Sequence, residues 1–222
     1  MTHTTTPLEP PPSRYQMPDP REAPPHGLLA AGADLEPGTI LAAYRSGIFP
    51  WPDEMGRLLW WSPDPRAVMP LDGFHESRRL RRTRRQGRLR ATYDAAYADV
   101  LTACASEHGP TWITPDMRVA YRHLHALGWA HSVEVWAGDE LAGGLYGVAV
   151  AGLFAAESMF HRARDASKIA LAVLVEHLRA RGFALLDVQL LTPHLASLGA
   201  IEIRRARYLE RLRTALAMPA VW

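Results

Sequence analysis

The apolar positions change period along this chain, and each change marks an element. Residues 36–46 repeat at helical spacing, with Leu41 and Tyr44 on one stripe. The arginine-rich segment 78–85 reads as a helix with Ser77 as its cap and Leu80 as its main apolar contact. A strand over 88–92 leads into a helix over 93–106. Thr114 and Pro115 open the next helix, Met117, Tyr121 and Leu124 give it an apolar stripe, and Gly128 ends it. From His131 the period becomes two. Segments 131–136, 141–150 and 153–159 predict an antiparallel meander, turned at Gly138 and at Gly152. A helix over 167–181, with Asp165 and Ser167 as caps, ends at Gly182. The apolar run 183–191 has the length and flanks of a buried strand, a short helix follows Thr192, and Ile201–Ile203 is a further strand. A meander, a helix and a strand beside it predict an α/β (α+β) mixed sheet.

Three polar residues interrupt the strands. Asp187 and Gln189 lie two apart in the run 183–191, so their side chains share a face. Glu157 falls in register with Leu153 and Ala155 and two positions from Met159. Buried carboxylates and amides need partners. The bland reading gives Glu157 an arginine and makes Asp187 a cap for a neighbouring helix or loop. The functional reading joins all three in one site, with Lys168 able to pair with Glu157 or Asp187. Gly143, Gly144 and Gly147 interrupt the middle strand, as bulges or as places where a ligand or another backbone comes close.

Composition sharpens this picture in four places. Residues 1–26 hold eight of the eighteen prolines and read as a disordered, flexible tail, with order expected from Gly27. Net charge is only +2, yet residues 78–90 carry eight arginines and no acid. Such a block either faces a polyanion or is paired with acids from elsewhere in the fold. One cysteine, Cys104, allows no internal disulfide framework and fits a reducing cytoplasm. No apolar run reaches membrane length, no signal-peptide core is expected, and no metal-binding pattern occurs, since His123 and His125 diverge on their helix. Tryptophans 51, 60 and 61 stand in proline-bracketed loops, as a core or as a stacking platform.

Several segments in order resemble a known family. They include Gly47-Ile48-Phe49-Pro50-Trp51, Trp60-Trp61-Ser62-Pro63-Asp64-Pro65-Arg66, Thr111-Trp112-Ile113-Thr114 and His131-Ser132-Val133-Glu134-Val135-Trp136. Gly143-Gly144-Leu145-Tyr146-Gly147-Val148, Glu157-Ser158-Met159-Phe160, Asp165-Ala166-Ser167-Lys168 and Ser197-Leu198-Gly199-Ala200 complete the set. The chain resembles the bacterial leucyl/phenylalanyl-tRNA–protein transferases from about Gly27 to about Leu209.

The resemblance implies a small N-terminal domain, here residues 27–66, and an acetyltransferase-like (GNAT-type) domain, residues 67–222. It implies transfer of leucine or phenylalanine, and weakly methionine, from aminoacyl-tRNA to proteins with N-terminal arginine or lysine, which marks them for degradation. It places catalysis on Asp187, Gln189 and Glu157, and an aminoacyl pocket at Leu145, Leu174, Leu178 and Leu186. It makes Trp51 and Trp112 walls for the terminal adenosine, and gives the tRNA to Arg78, Arg81, Arg82, Arg84 and Arg85. A cytoplasmic monomer without cofactor or metal is expected. The family's account makes Gln189 a base assisted by Asp187. A neutral amide accepts protons poorly, so the expectation here is that Asp187 orients Gln189 and Gln189 holds the attacking amine. Two other readings compete. A coenzyme A-dependent N-acetyltransferase needs an open pyrophosphate loop where this chain has Asp165, and a non-catalytic RNA-binding protein leaves the three polar residues idle.

Overall fold

A computed structural model describes residues 6–107 and 111–222. After β1 (Leu28–Ala31) come α1 (Pro37–Arg45), β2 (Phe49–Pro50) and β3 (Leu59–Trp61). These strands form a small sheet in the order β1-β3-β2. Next come β4 (Arg66–Met69), α2 (Arg78–Arg85), β5 (Arg90–Tyr93), α3 (Tyr97–Ser106) and α4 (Pro115–Ala126). The meander is β6 (Ala130–Ala137), β7 (Glu140–Val150) and β8 (Leu153–His161), followed by α5 (Ala166–Ala180) and β9 (Leu185–Gln189). The chain continues through α6 (Pro193–Ser197), β10 (Ile201–Ile203) and α7 (Arg205–Leu216). Among the described residues the main sheet has seven strands in the order β10-β4-β9-β8-β7-β6-β5. Only the β8–β9 pair is parallel, so the sheet is mixed, as the hydrophobic pattern predicts. Among the described residues no helix is long and apolar enough to cross a membrane.

Side-chain alternation gives the sheet two different faces. Ala67, Met69, Leu145, Phe154 and Leu186 face α5, and Leu80 brings α2 onto the same side. Val68, Tyr146, Val148, Leu153 and Ala155 face the other way, against α1, α3, α4 and α7. The meander glycines belong to this packing. A Cβ at Gly143 would lie 2.6 Å from Ala166 Cβ, and one at Gly147 would lie 2.3 Å from the Ala155 carbonyl oxygen.

Three local expectations need correction. Residues 1–5 of the proline-rich segment lie outside the described residues, but 6–26 are fixed to the body rather than free. The Leu8 N–H donates to the Leu127 carbonyl at 2.9 Å, and Trp129 Nε1 donates to the Leu8 carbonyl at 2.8 Å. Arg205 donates to the carbonyls of Ala23 and Pro24. Proline-rich backbone has few N–H donors of its own, so donors from the body fix it instead. Asp165 occupies the N-cap of α5 in the left-handed region (φ 66°) and makes no side-chain cap hydrogen bond. Its carboxylate faces Arg79 at 3.3 Å and Lys168 at 3.5 Å, so Lys168 is drawn to its own helix start and not to Glu157 or Asp187. The pattern also leaves β4 and α7 unread. β4 is short, and α7 carries so many arginines that its apolar stripe is thin.

Candidate active site

Strands β8 and β9 pair only over Leu153–Leu185 to Ala155–Asp187 and then separate. A cavity of about 260 Å³ opens in this fork. One wall is apolar, from Leu145, Met159, Leu171, Val188 and Leu195, and the other presents Glu157 and Gln189. Pockets for drug-sized ligands run from about 300 Å³ upward, so this one suits a single side chain better than a coenzyme.

Asp187 is fully enclosed. Arg66 on β4 grips it with both ends of the guanidinium, Nε to Oδ1 at 2.9 Å and Nη2 to Oδ2 at 2.6 Å. Tyr208 on α7 donates to Oδ2 at 2.9 Å. Burial opposes the charge on Arg66, but the Asp187 carboxylate holds that guanidinium above its usual range. The fourth contact explains the spacing of Asp187 and Gln189. Asp187 Oδ1 accepts the backbone N–H of Gln189 at 3.0 Å, and Gln189 sits in the left-handed region with φ 54°. Such a conformation costs a non-glycine residue about 1–2 kcal/mol. Asp187 therefore acts on Gln189 through the backbone. It is a cap, as the bland reading has it, but for the strand end and with a buried arginine behind it.

Glu157 reaches the fork by a bulge. Tyr146 pairs with Ser158 and Gly147 with Ala156, which leaves Glu157 as the extra residue of β8. Bulges redirect side chains. Glu157 turns towards α1 and α4, whereas Met159 falls on the α5 side, so the two do not share a face. Tyr44 donates to Oε1 at 2.7 Å and Tyr121 to Oε2 at 3.0 Å. Gln189 Nε2 lies 3.4 Å from Oε1. Burial pushes the Glu157 carboxyl up to about 7, against the pull of the two tyrosine hydroxyls. Two carboxylates on one sheet face thus differ sharply: one is locked to an arginine, and the other is pushed up to about 7 beside the Gln189 amide.

Residues 68–213 match the family model for leucyl/phenylalanyl-tRNA protein transferase, and residues 33–64 match the model for its N-terminal domain. The chain belongs to this family. It is 53% identical to the leucyl/phenylalanyl-tRNA–protein transferase of Stutzerimonas stutzeri over 88% of each chain. It is 50% identical to that of Anaeromyxobacter sp., over 95% of this chain and 92% of the other. Among solved structures, a ribosomal-protein-alanine N-acetyltransferase from Brucella melitensis shows a distant likeness, with TM-score 0.34 and 17% identity over 45% of this chain and 77% of that one.

The transferase family's expected residues fall in different places. Asp187, Gln189 and Glu157 meet at the fork. Leu145 lines the cavity, while Leu174, Leu178 and Leu186 lie fully buried behind it, and Leu171 and Leu195 stand at the wall in their place. Trp51 lines the cavity and stacks on Trp112 with ring centroids 5.2 Å apart. On α2 the arginines divide. Arg79 turns to Asp165, and Arg84 reaches Glu76 at 3.0 Å and Glu176 at 2.6 Å. Arg78, Arg81, Arg82 and Arg85 line a shared open groove along one side of the helix, and among the described residues Arg81 alone of the four has an acid in reach, Glu76 at 3.5 Å. At the start of α5 the Asp165 carboxylate stands among Arg79, Arg164 and Lys168, so an acid already answers the cations there.

Sequence reasoning overlooks four site residues. Arg66 stands inside a quoted motif, and Tyr44 and Tyr121 read only as apolar contacts of their helices. Tyr208 lies on the unread α7. The available signal is the tyrosine itself, because a buried phenol needs a partner for its hydroxyl.

Proposed function

We propose that this protein transfers a leucyl or phenylalanyl group, and weakly a methionyl group, from tRNA to the α-amine of a protein that begins with arginine or lysine. The observation that carries this reading is the fork, where a carboxyl titrating at about 7 faces a fixed amide beside an apolar cavity. The aminoacyl side chain enters the apolar wall, and Leu174, Leu178 and Leu186 back that wall from behind. The aminoacyl ester is already activated, so the chemistry needs positioning and one proton acceptor.

An α-amine has a reference pKa of about 8 and arrives mostly as ammonium. Glu157 in its ionised form takes one proton from it. Gln189 donates to Glu157 through Nε2, which leaves its Oε1 to hold an N–H of the neutral amine. The amine lone pair attacks the ester carbonyl, the C–N bond forms, and the ribose C–O bond breaks. The ribose oxygen leaves with the amine's second proton. Asp187 takes no part in the transfer, because Arg66 and Tyr208 already occupy both of its oxygens. Gln189 is thus a holder and Glu157 the base.

Trp51 and Trp112 offer ring faces to the terminal adenosine, and Arg78, Arg81, Arg82 and Arg85 meet the tRNA phosphates. A cytoplasmic monomer that marks its products for proteolysis completes the reading, with residues 27–66 as a small N-terminal domain and 67–222 as the catalytic one. The test mixes the protein with tRNA carrying labelled leucine and a peptide beginning with arginine. Label on the peptide's N-terminus, lost on acetylating that amine, is expected. Label that stays on the tRNA would end the proposal.

A further inference from the structure

The site cavity has a neighbour that the mechanism leaves unused. Trp51 and Leu190 form a ridge, and behind it lies a second cavity of about 210 Å³, lined by His26, Phe49, Trp51, Trp61, Pro63 and Leu190. Leu190 keeps 44% of its surface exposed, an unusual state for a leucine beside an active site. Its direction is fixed by a tight turn in which its N–H reaches the Val188 carbonyl at 2.6 Å.

The walls are already in place for an apolar guest. Trp61 Nε1 donates to the Trp51 carbonyl at 2.9 Å, which fixes the indole. Phe49 sits edge-on to Trp51 at 6.4 Å, and His26 sits edge-on to Trp61 at 6.5 Å. His26 Nδ1 accepts the Leu28 N–H at 3.2 Å. Among the described residues no arginine, lysine or acid lines this cavity. A nucleotide would bring a phosphate that finds no cationic partner there.

The spacing identifies the guest. In the proposed function the acceptor's α-amine lies against Gln189 and Glu157. The next Cα of an extended peptide is about 3.8 Å further on. Leu190 is the residue after Gln189, so one step along either chain crosses the same ridge. Consecutive side chains of an extended peptide point to opposite sides. The first, arginine or lysine, and the second therefore diverge.

We propose that the second cavity binds the side chain of the acceptor's second residue and selects a large apolar or aromatic one. This rests on the transferase reading. Burying one such side chain favours it over glycine by at least about tenfold in kcat/KM. The test compares peptides that begin Arg-Gly, Arg-Ser, Arg-Leu and Arg-Phe in the wild-type enzyme, in Trp61→Ala and in Leu190→Ala. The expected Phe-over-Gly ratio is about tenfold or more, falling towards one in both variants. Thermal unfolding checks Trp61→Ala, while Leu190→Ala alters an exposed side chain. A wild-type ratio near one, with transfer intact, would overturn the subsite and leave the transferase standing. So would unchanged ratios with a raised KM for aminoacyl-tRNA, which would give the cavity to the tRNA end. No transfer to any peptide would remove the transferase reading and the subsite with it.

Discussion

Asp187 and Glu157 lie on the same face of one sheet, Asp187 enclosed and Glu157 half-buried at a cavity wall, and they do opposite work. The Asp187 corner is closed: an arginine, a tyrosine and a backbone N–H take both oxygens. The Glu157 corner is open: two phenols and a distant amide hold it, no cation among the described residues bonds to it, and burial pushes its carboxyl up to about 7. A charge matched inside the fold becomes a fixed strut. A charge held only by neutral donors stays titratable. Sequence spacing alone does not tell these apart, because both are acids on apolar strands.

The strongest way to break the comparison is to open the closed corner. Arg66→Met would leave Asp187 buried without its counter-ion, and removing one partner of such a pair costs about 3–5 kcal/mol. Denaturant unfolding should show that loss. Gln189 should also lose its backbone anchor, so kcat falls in whatever fraction stays folded. A stability change under about 1 kcal/mol would mean that water already reaches Asp187, and the closed corner would not exist.

The reverse experiment removes the titrating carboxyl. Glu157→Gln keeps the shape but turns one accepting oxygen into an NH2 donor, so one phenol must rotate to accept from it; the side chain can no longer take a proton, and a lost general base costs at least about 10²-fold in rate. Wild-type kcat/KM should rise with pH as Glu157 ionises through about 7, and the variant should keep only the limb of the acceptor amine. Stability moves the other way. A carboxyl raised from 4.5 to about 7 by folding stabilises the protein while protonated, below its unfolded value, and that contribution is lost as pH rises through about 7. The variant's stability should be flat over the same interval. An unchanged pH–rate limb in Glu157→Gln would pass the base role to another group.

How much of this was legible follows the same division. The meander, α5, β9 and the caps at Ser77, Thr114 and Thr192 could be read because period and cap chemistry are local. Asp187, Gln189 and Glu157 stood out as polar residues on apolar strands. Their partners did not, because Tyr44, Arg66, Tyr121 and Tyr208 arrive from four other elements at long sequence separations. The bulge at Glu157 was equally hidden, since one extra residue in β8 shows only against β7. The proline-rich segment misled because its composition matches a free chain, while the Arg205 and Trp129 donors that fix it lie far along the sequence.

A smaller change tests whether the closed corner needs all its partners. Tyr208→Phe removes one donor to Asp187 and leaves both Arg66 contacts, so stability should fall by about 1.5–3 kcal/mol, the usual loss for one bond to a charged group. The kcat should change less than twofold, because Gln189 keeps its own bond to Asp187. A kcat loss as large as that of Glu157→Gln would show that Tyr208 reaches the reaction directly.

The same contrast recurs on the surface of α2, where the expected effect is smallest. Arg84 is matched by Glu76 and Glu176, and Arg82 has no acid in reach among the described residues. If matched charges serve the fold and open ones serve the ligand, the two arginines answer differently to salt. Each phosphate contact adds about one counterion to the dependence of tRNA affinity on salt. Arg82→Ala should therefore flatten the slope of log K against log salt by about 1, with unfolding unchanged. Arg84→Ala should leave the slope alone and lower stability by at most about 1 kcal/mol, as a partly exposed ion pair does. Equal slope changes in both variants would mean that Arg84 leaves its acids to meet RNA, and the division within α2 would vanish on binding.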